Sequence, residues 1–107
     1  MAAATFADPV LTRFRSDVDL VYGSRVERVV LFGSRARDDW QHDSDYDIAV
    51  FVRDPGQRWA EIGTLAKITT QILFDTGEVV SAKPFAAGAY DLPTPLMHEI
   101  RRDGIDL

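Results

Sequence analysis

The chain has 107 residues, 46% apolar and 27% charged, the size and balance of one compact globular unit; this excludes a disordered tract and a bilayer-length apolar run. Seventeen acidic residues against 12 Lys and Arg leave a net charge of -5, which argues against broad binding to a nucleic-acid backbone. The absence of cysteine removes disulfides, thiolate catalysis and Cys-based zinc sites.

The N-terminal stretch "MAAATFADPV" carries no basic segment ahead of an apolar run, so the expected location is the cytoplasm and the leading alanines are expected to fray. Asp8-Pro9 reads as a helix cap and first helical position. Val10, Leu11, Phe14, Val18, Val21 and Tyr22 then recur at helical spacing until Gly23. A strand follows over Val26 to Phe32, and "SRAR" after Gly33 can begin a short helix. "DYDIAVFV" predicts a second strand, Asp45 to Val52, and its continuous apolar half predicts cover on both faces. From Gln57 to Phe74 the apolar positions Trp59, Ile62, Leu65, Ala66, Thr69, Ile72 and Leu73 keep helical spacing and are expected in the core, with Gly77 as the stop. "EVVSAKPF" reads as a third strand that Pro84 places at an edge or strand end. Thr94-Pro95 opens a last helix, Gly104 stops it, and a final edge strand is expected. The order predicts a single domain over residues 1–107: α/β, a small mixed sheet with helices packed on one face.

The chemistry-bearing residues cluster between the first two strands. Gly33 permits close approach of a ligand, Ser34 adds a hydroxyl and a backbone N–H, and Arg35 and Arg37 can reach an anion. The Walker pattern is absent. Asp45 and Asp47, two residues apart on a strand, point to one face with their bases about 6.5–7 Å apart. At an effective dielectric near 20 they repel by roughly 2 kcal/mol, a sign that a shared Mg²⁺ reverses, and Asp43 can add to the repulsion. The plainer reading of "DDWQHDSDYD" is a solvated acidic loop. A phosphate-ready turn ending one strand and a two-carboxylate platform opening the next are what phosphoryl or nucleotidyl transfer requires together.

"GSRAR", six residues, then "SDYDIAV" resembles the Gly-Ser and Asp-x-Asp signature of the DNA polymerase β-like nucleotidyltransferase superfamily, and the short chain resembles its minimal nucleotidyltransferase (MNT) branch. The resemblance implies that Gly33 and Ser34 hold the terminal phosphates of ATP, that Asp45 and Asp47 bind Mg²⁺, and that AMP passes to a hydroxyl with release of pyrophosphate. It further implies an antitoxin whose acceptor is a tyrosine of a helical HEPN-type toxin, with which it assembles.

Two positions depart from the pattern. Asp38 stands where relatives commonly have glycine. Ser81 aligns with a third carboxylate that relatives bring on the third strand, while alternation turns Glu78 to the opposite face unless the strand bulges. Lys83 shares the face of Ser81 and reads most simply as an edge lysine. His42 reads as a solvated loop residue and His98 as a surface residue. Asp45 and Asp47 thus favour an enzyme, and Ser81 favours a catalytically silent antitoxin or regulatory subunit that acts by binding its partner.

Overall fold

The computed structural model describes residues 7–38 and 44–107; the leading alanines lie outside this set. The elements are α1 (Pro9–Tyr22), a 3₁₀ turn (Gly23–Arg25), β1 (Val26–Phe32), the single turn α2 (Ser34–Arg37), β2 (Tyr46–Val52), α3 (Arg58–Thr76), β3 (Val80–Ala86), a second 3₁₀ turn (Ala87–Asp91), α4 (Pro95–Asp103) and β4 (Ile105–Asp106). Both predicted Pro-led helix starts form. Asp8 caps α1 by accepting from Val10 N at 2.9 Å, and Thr94 caps α4 by accepting from Met97 N at 3.1 Å. Gly77 ends α3 in the left-handed conformation (φ 78°), its N–H donating to Leu73 O.

Among the described residues the strands form one mixed sheet in the order β3-β2-β1-β4. β1 pairs antiparallel with β2 and β4, and β2 pairs parallel with β3 after the crossover through α3. Pro84 sits within the edge strand β3, where its missing N–H costs the ladder least. β2 is central, and Ile48 through Val52 are buried on both faces, as the unbroken apolar run requires.

Both faces are covered, which corrects the expectation of helices on one face only. On the first face Val29, Leu31, Tyr46, Ile48, Val50 and Val52 meet Phe14 and Val18 of α1 and Leu65, Ile68 and Ile72 of α3. On the second, Phe32, Ala49 and Phe51 meet Met97 and Ile100 of α4, and Phe51 stacks on Phe85 at 5.4 Å. The sequence marks where α4 starts and stops but not which sheet face it returns to.

α3 supplies a second correction. Trp59, Ile62 and Leu73, expected in the core, are exposed, as is Val21 of α1. α3 carries apolar residues on both sides, so periodicity could not choose its inner face. That face includes Glu61, which is 7% exposed. Its carboxylate accepts from Gly56 N at 2.8 Å, Tyr22 Oη at 2.8 Å and Arg25 Nη2 at 3.2 Å, tying the β2–α3 turn to the end of α1. The Gly56 N–H is the main influence holding the Glu61 carboxyl below its ordinary value. Because the folded value is lowered, this stabilisation is present above the ordinary carboxylate range and is lost as pH falls through the folded value. Glu61→Ala strands the buried Tyr22 hydroxyl and is expected to cost about 2–3 kcal/mol in urea denaturation at neutral pH, with a smaller deficit in acid.

Candidate functional site

Asp47 is the second residue of β2, paired with Phe32 on one side and Ser81 on the other. Alternation puts it on the second face with Ala49 and Phe51, while Tyr46 and Ile48 enter the opposite core. The ladder begins at Tyr46, whose N–H donates to Val79 O at 3.0 Å, so the predicted strand starts one residue late. Asp45 is therefore an exposed residue at the mouth of the strand, and Asp47 is half-buried behind it. Asp43 and His42 lie outside the described residues.

The turn after β1 meets this carboxylate directly. Gly33 has φ 76° and ψ -157°, a region essentially restricted to glycine. A Cβ placed there would stand 2.6 Å from Asp47 Oδ2. The Gly33 carbonyl accepts from the N–H groups of Ala36 and Arg37, both at 3.1 Å, which fixes α2 beside the carboxylate. Asp38 ends α2 in the left-handed conformation (φ 67°), which glycine adopts freely and aspartate tolerates better than most residues, so the turn survives the departure from the family pattern. Gly33→Ala is expected to cost about 1–3 kcal/mol and to lower the melting temperature by several degrees in a calorimetric scan.

The two arginines diverge. Arg35 is 7% exposed at its side chain; its guanidinium lies 3.8 Å from the Tyr46 ring centroid, Nε donates to Ser44 O at 2.9 Å, and Nη2 is 3.8 Å from Glu78 Oε1. Tyr46 Oη in turn donates to Asp8 Oδ2 at 2.8 Å. Arg35 thus braces the chain leading into Asp45 from behind the site. Arg37 lies on the Asp47 side, 3.7 Å from Glu99 Oε2 of α4.

Burial is the largest influence on the Asp47 carboxyl and pushes it above its ordinary value; Lys83 pulls it back, Asp45 and Glu99 push it up, and Arg37 pulls it down. Lys83 sits two residues beyond Ser81 on the Asp47 face, its Nζ 6.0 Å from the Phe32 ring centroid. Glu99 was invisible to sequence reasoning because only the docking of α4 brings it near β2. Ser81 occupies the place opposite Asp47, and Glu78 is engaged with Arg35 rather than turned toward Asp47. Among the described residues no three acidic or histidine side chains converge as a cation cage. His98 is exposed on α4, with Nδ1 3.2 Å from Arg101 Nη2. A cleft of ≈ 90 Å³ lined mainly by Val52, Pro55, Pro84 and Phe85 opens at the far end of β2 and β3; it is largely apolar and lies away from these carboxylates.

Comparison with known proteins gives the same outline. The family described as polymerase beta, nucleotidyltransferase, matches residues 19–107. A Methanocaldococcus jannaschii protein, named provisionally as a protein adenylyltransferase, is 33% identical over 45 residues, 42% of this chain. That match spans 46%, about half, of the relative's own length. Among solved structures, a provisionally named minimal nucleotidyltransferase aligns over 100% of this chain and 97% of its own, at 22% identity and a TM-score of 0.61. A toxin–antitoxin crystallised with AMP-PNP aligns over 87% of this chain and 68% of its own, at 18% identity and a TM-score of 0.59. A mutant of the toxin–antitoxin MntA-HpeT, with two aspartates two positions apart changed to glutamate, aligns over 86% and 68%, at 16% and 0.58. At these identities the solved structures establish the fold. No helix among the described residues is long and apolar enough to cross a membrane.

Proposed function

Because the chain belongs to the polymerase beta nucleotidyltransferase family, we propose that it transfers AMP from ATP to a protein hydroxyl, that of a tyrosine on a helical HEPN-type toxin, and so acts as an antitoxin. The observation that carries this reading is the placement of Asp47, half-buried against the Gly33 turn with Asp45 at the mouth of the same strand. The name of the M. jannaschii relative supports protein adenylylation, and the solved toxin–antitoxin complexes support a toxin as partner.

The residues present fit a hard divalent cation. Asp47 is held partly out of water beside a second carboxylate, an arrangement that costs free energy without a counter-charge, and both offer the oxygen ligands that Mg²⁺ prefers. Asp45 and Asp47 would hold Mg²⁺, which when bound supplies charge neutralisation on the triphosphate. Gly33 lets the phosphates approach the backbone, Ser34 and its N–H bind them, and Arg37 adds positive charge from the same side. Arg35 positions Asp45 through Ser44 and Tyr46 and is not itself a phosphate ligand in this reading. The acceptor oxygen bonds to the α-phosphorus, the bond to pyrophosphate breaks, and the hydroxyl proton passes to water, since β3 offers Ser81 where a carboxylate could take it.

Ser81 favours a second reading, an antitoxin that binds its partner without catalysis. Incubating the protein with Mg²⁺, α-labelled ATP and the product of the adjacent gene separates the two. Label on a partner tyrosine is the expected result. Complex formation with no transfer from any nucleotide would establish the silent form instead.

A further inference from the structure

α3 has a second apolar face that nothing among the described residues covers. Leu65, Ile68 and Ile72 fill the core, yet Trp59 is 76% exposed and Phe74 82%, with Ile62 and Leu73 nearly half exposed. Successive helical residues turn by about 100°, so Trp59, Ile62, Ala66, Thr70 and Leu73 fall within roughly a quarter-turn, and Phe74 borders them. Large apolar side chains left in water at both ends of one helical stripe mark an association surface.

The stripe identifies its own occupant by the order of its side-chain sizes. It is bulky at both ends, Trp59 and Phe74, and small in the middle, Gly63, Ala66 and Thr70. Run antiparallel to itself about a point between Ala66 and Lys67, position 59 comes opposite position 74 and position 63 opposite position 70. A shallow, open groove lined by Ala66, Lys67, Thr70, Gln71 and Phe74 ends at the position that this register sets opposite the second Trp59. Knob and groove on one helix, related by a twofold axis, form an isologous interface. Trp59 and Phe74 offer roughly 300 Å² per copy, and with Ile62 and Leu73 the pair approaches about 1,000 Å², the lower edge of specific association.

We propose that a second copy of this chain covers α3, the two helices antiparallel about a twofold axis near Ala66 and Lys67, each Trp59 seated in the groove of the other. Asp47 lies on the opposite face of the sheet from α3, so the dimer leaves the candidate site open to an acceptor. The proposal is independent of the reaction assigned above.

The chain has two lysines, and the twofold brings both copies of Lys67 to one rim of the interface near the axis, whereas Lys83 is on the edge strand. Sedimentation velocity of the full chain from about 1 to 300 μM is expected to show a monomer–dimer equilibrium in the micromolar range. A short amine-reactive cross-linker should join Lys67 to Lys67. Trp59→Ala and Phe74→Ala, at exposed positions that leave the monomer folded by circular dichroism, should each weaken self-association at least tenfold and remove that cross-link. A chain monomeric at 300 μM overturns the proposal, as does a dimer that both variants leave intact or one cross-linked through Lys83. Binding of a different helical protein to the stripe while the free chain stays monomeric overturns it as well.

Discussion

Asp47→Asn is expected to reduce AMP transfer by at least about 10³-fold while leaving the melting temperature of the ligand-free protein unchanged or raised. The two halves of this expectation have one cause. Asp47 is partly withdrawn from water and faces Asp45 and Glu99, so its ionised form is disfavoured in the folded chain. A carboxyl whose folded value is raised contributes most below its ordinary range, and that contribution is lost as pH rises through the raised value. At neutral pH the native protein therefore carries the full cost of this charge, which asparagine does not. The same asparagine lacks the anionic oxygens that the proposed cation would need. Activity should fall in acid as Asp47 takes up a proton, beginning above the usual carboxylate range and shifting lower as Mg²⁺ is raised. Thermal melts without ligand, set beside the labelled transfer assay, check both halves. A variant several degrees less stable with transfer intact would make Asp47 a structural residue.

A carboxylate that costs stability beside a glycine-only turn marks a candidate site, and that pairing of turn and carboxylates was legible before any coordinates. The spacing of Gly33, Ser34, Asp45 and Asp47 along the chain, with strand patterns on either side, places the turn and the carboxylates together because β1 and β2 pair antiparallel across a short connection. Strand β1 and the caps Asp8 and Thr94 follow from local rules and lie where those rules put them. Properties that depend on docking were not legible. Arg35 and Arg37 look equivalent in "GSRAR", yet a single turn of helix sends them to opposite sides of β2, one to the Tyr46 ring and one to Glu99. Nothing in the sequence singles out Glu61, which only the fold encloses with Tyr22, Arg25 and Gly56. In α3, apolar residues on both faces defeat any choice of inner face from periodicity alone.

Ser81→Asp should move transfer the other way, raising turnover roughly 10–100-fold if proton removal from the acceptor limits the rate. The register gives the reason. Ser81 is the direct parallel partner of Asp47 across strands about 4.8 Å apart, so an aspartate there faces the same space as Asp47 and can take the hydroxyl proton. Without metal, a further carboxylate beside Asp47 adds repulsion of about 1–3 kcal/mol, and the ligand-free variant should melt several degrees below wild type. Mg²⁺ with a non-hydrolysable ATP analogue should recover more of that loss than it adds to the wild-type protein, because each added negative ligand strengthens binding to the folded state alone. Glu78→Gln gives the contrast: it changes a carboxylate three residues away that is engaged with Arg35 behind the site, and it should alter turnover by no more than about threefold. If Ser81→Asp folds, binds Mg²⁺ more tightly and still transfers no faster, proton removal is not what limits this chain, and the slow step lies in acceptor docking or product release. If neither it nor the wild type transfers AMP to any partner protein, the serine is the signature of an antitoxin that acts by binding, and the carboxylate pair serves to hold nucleotide rather than to use it.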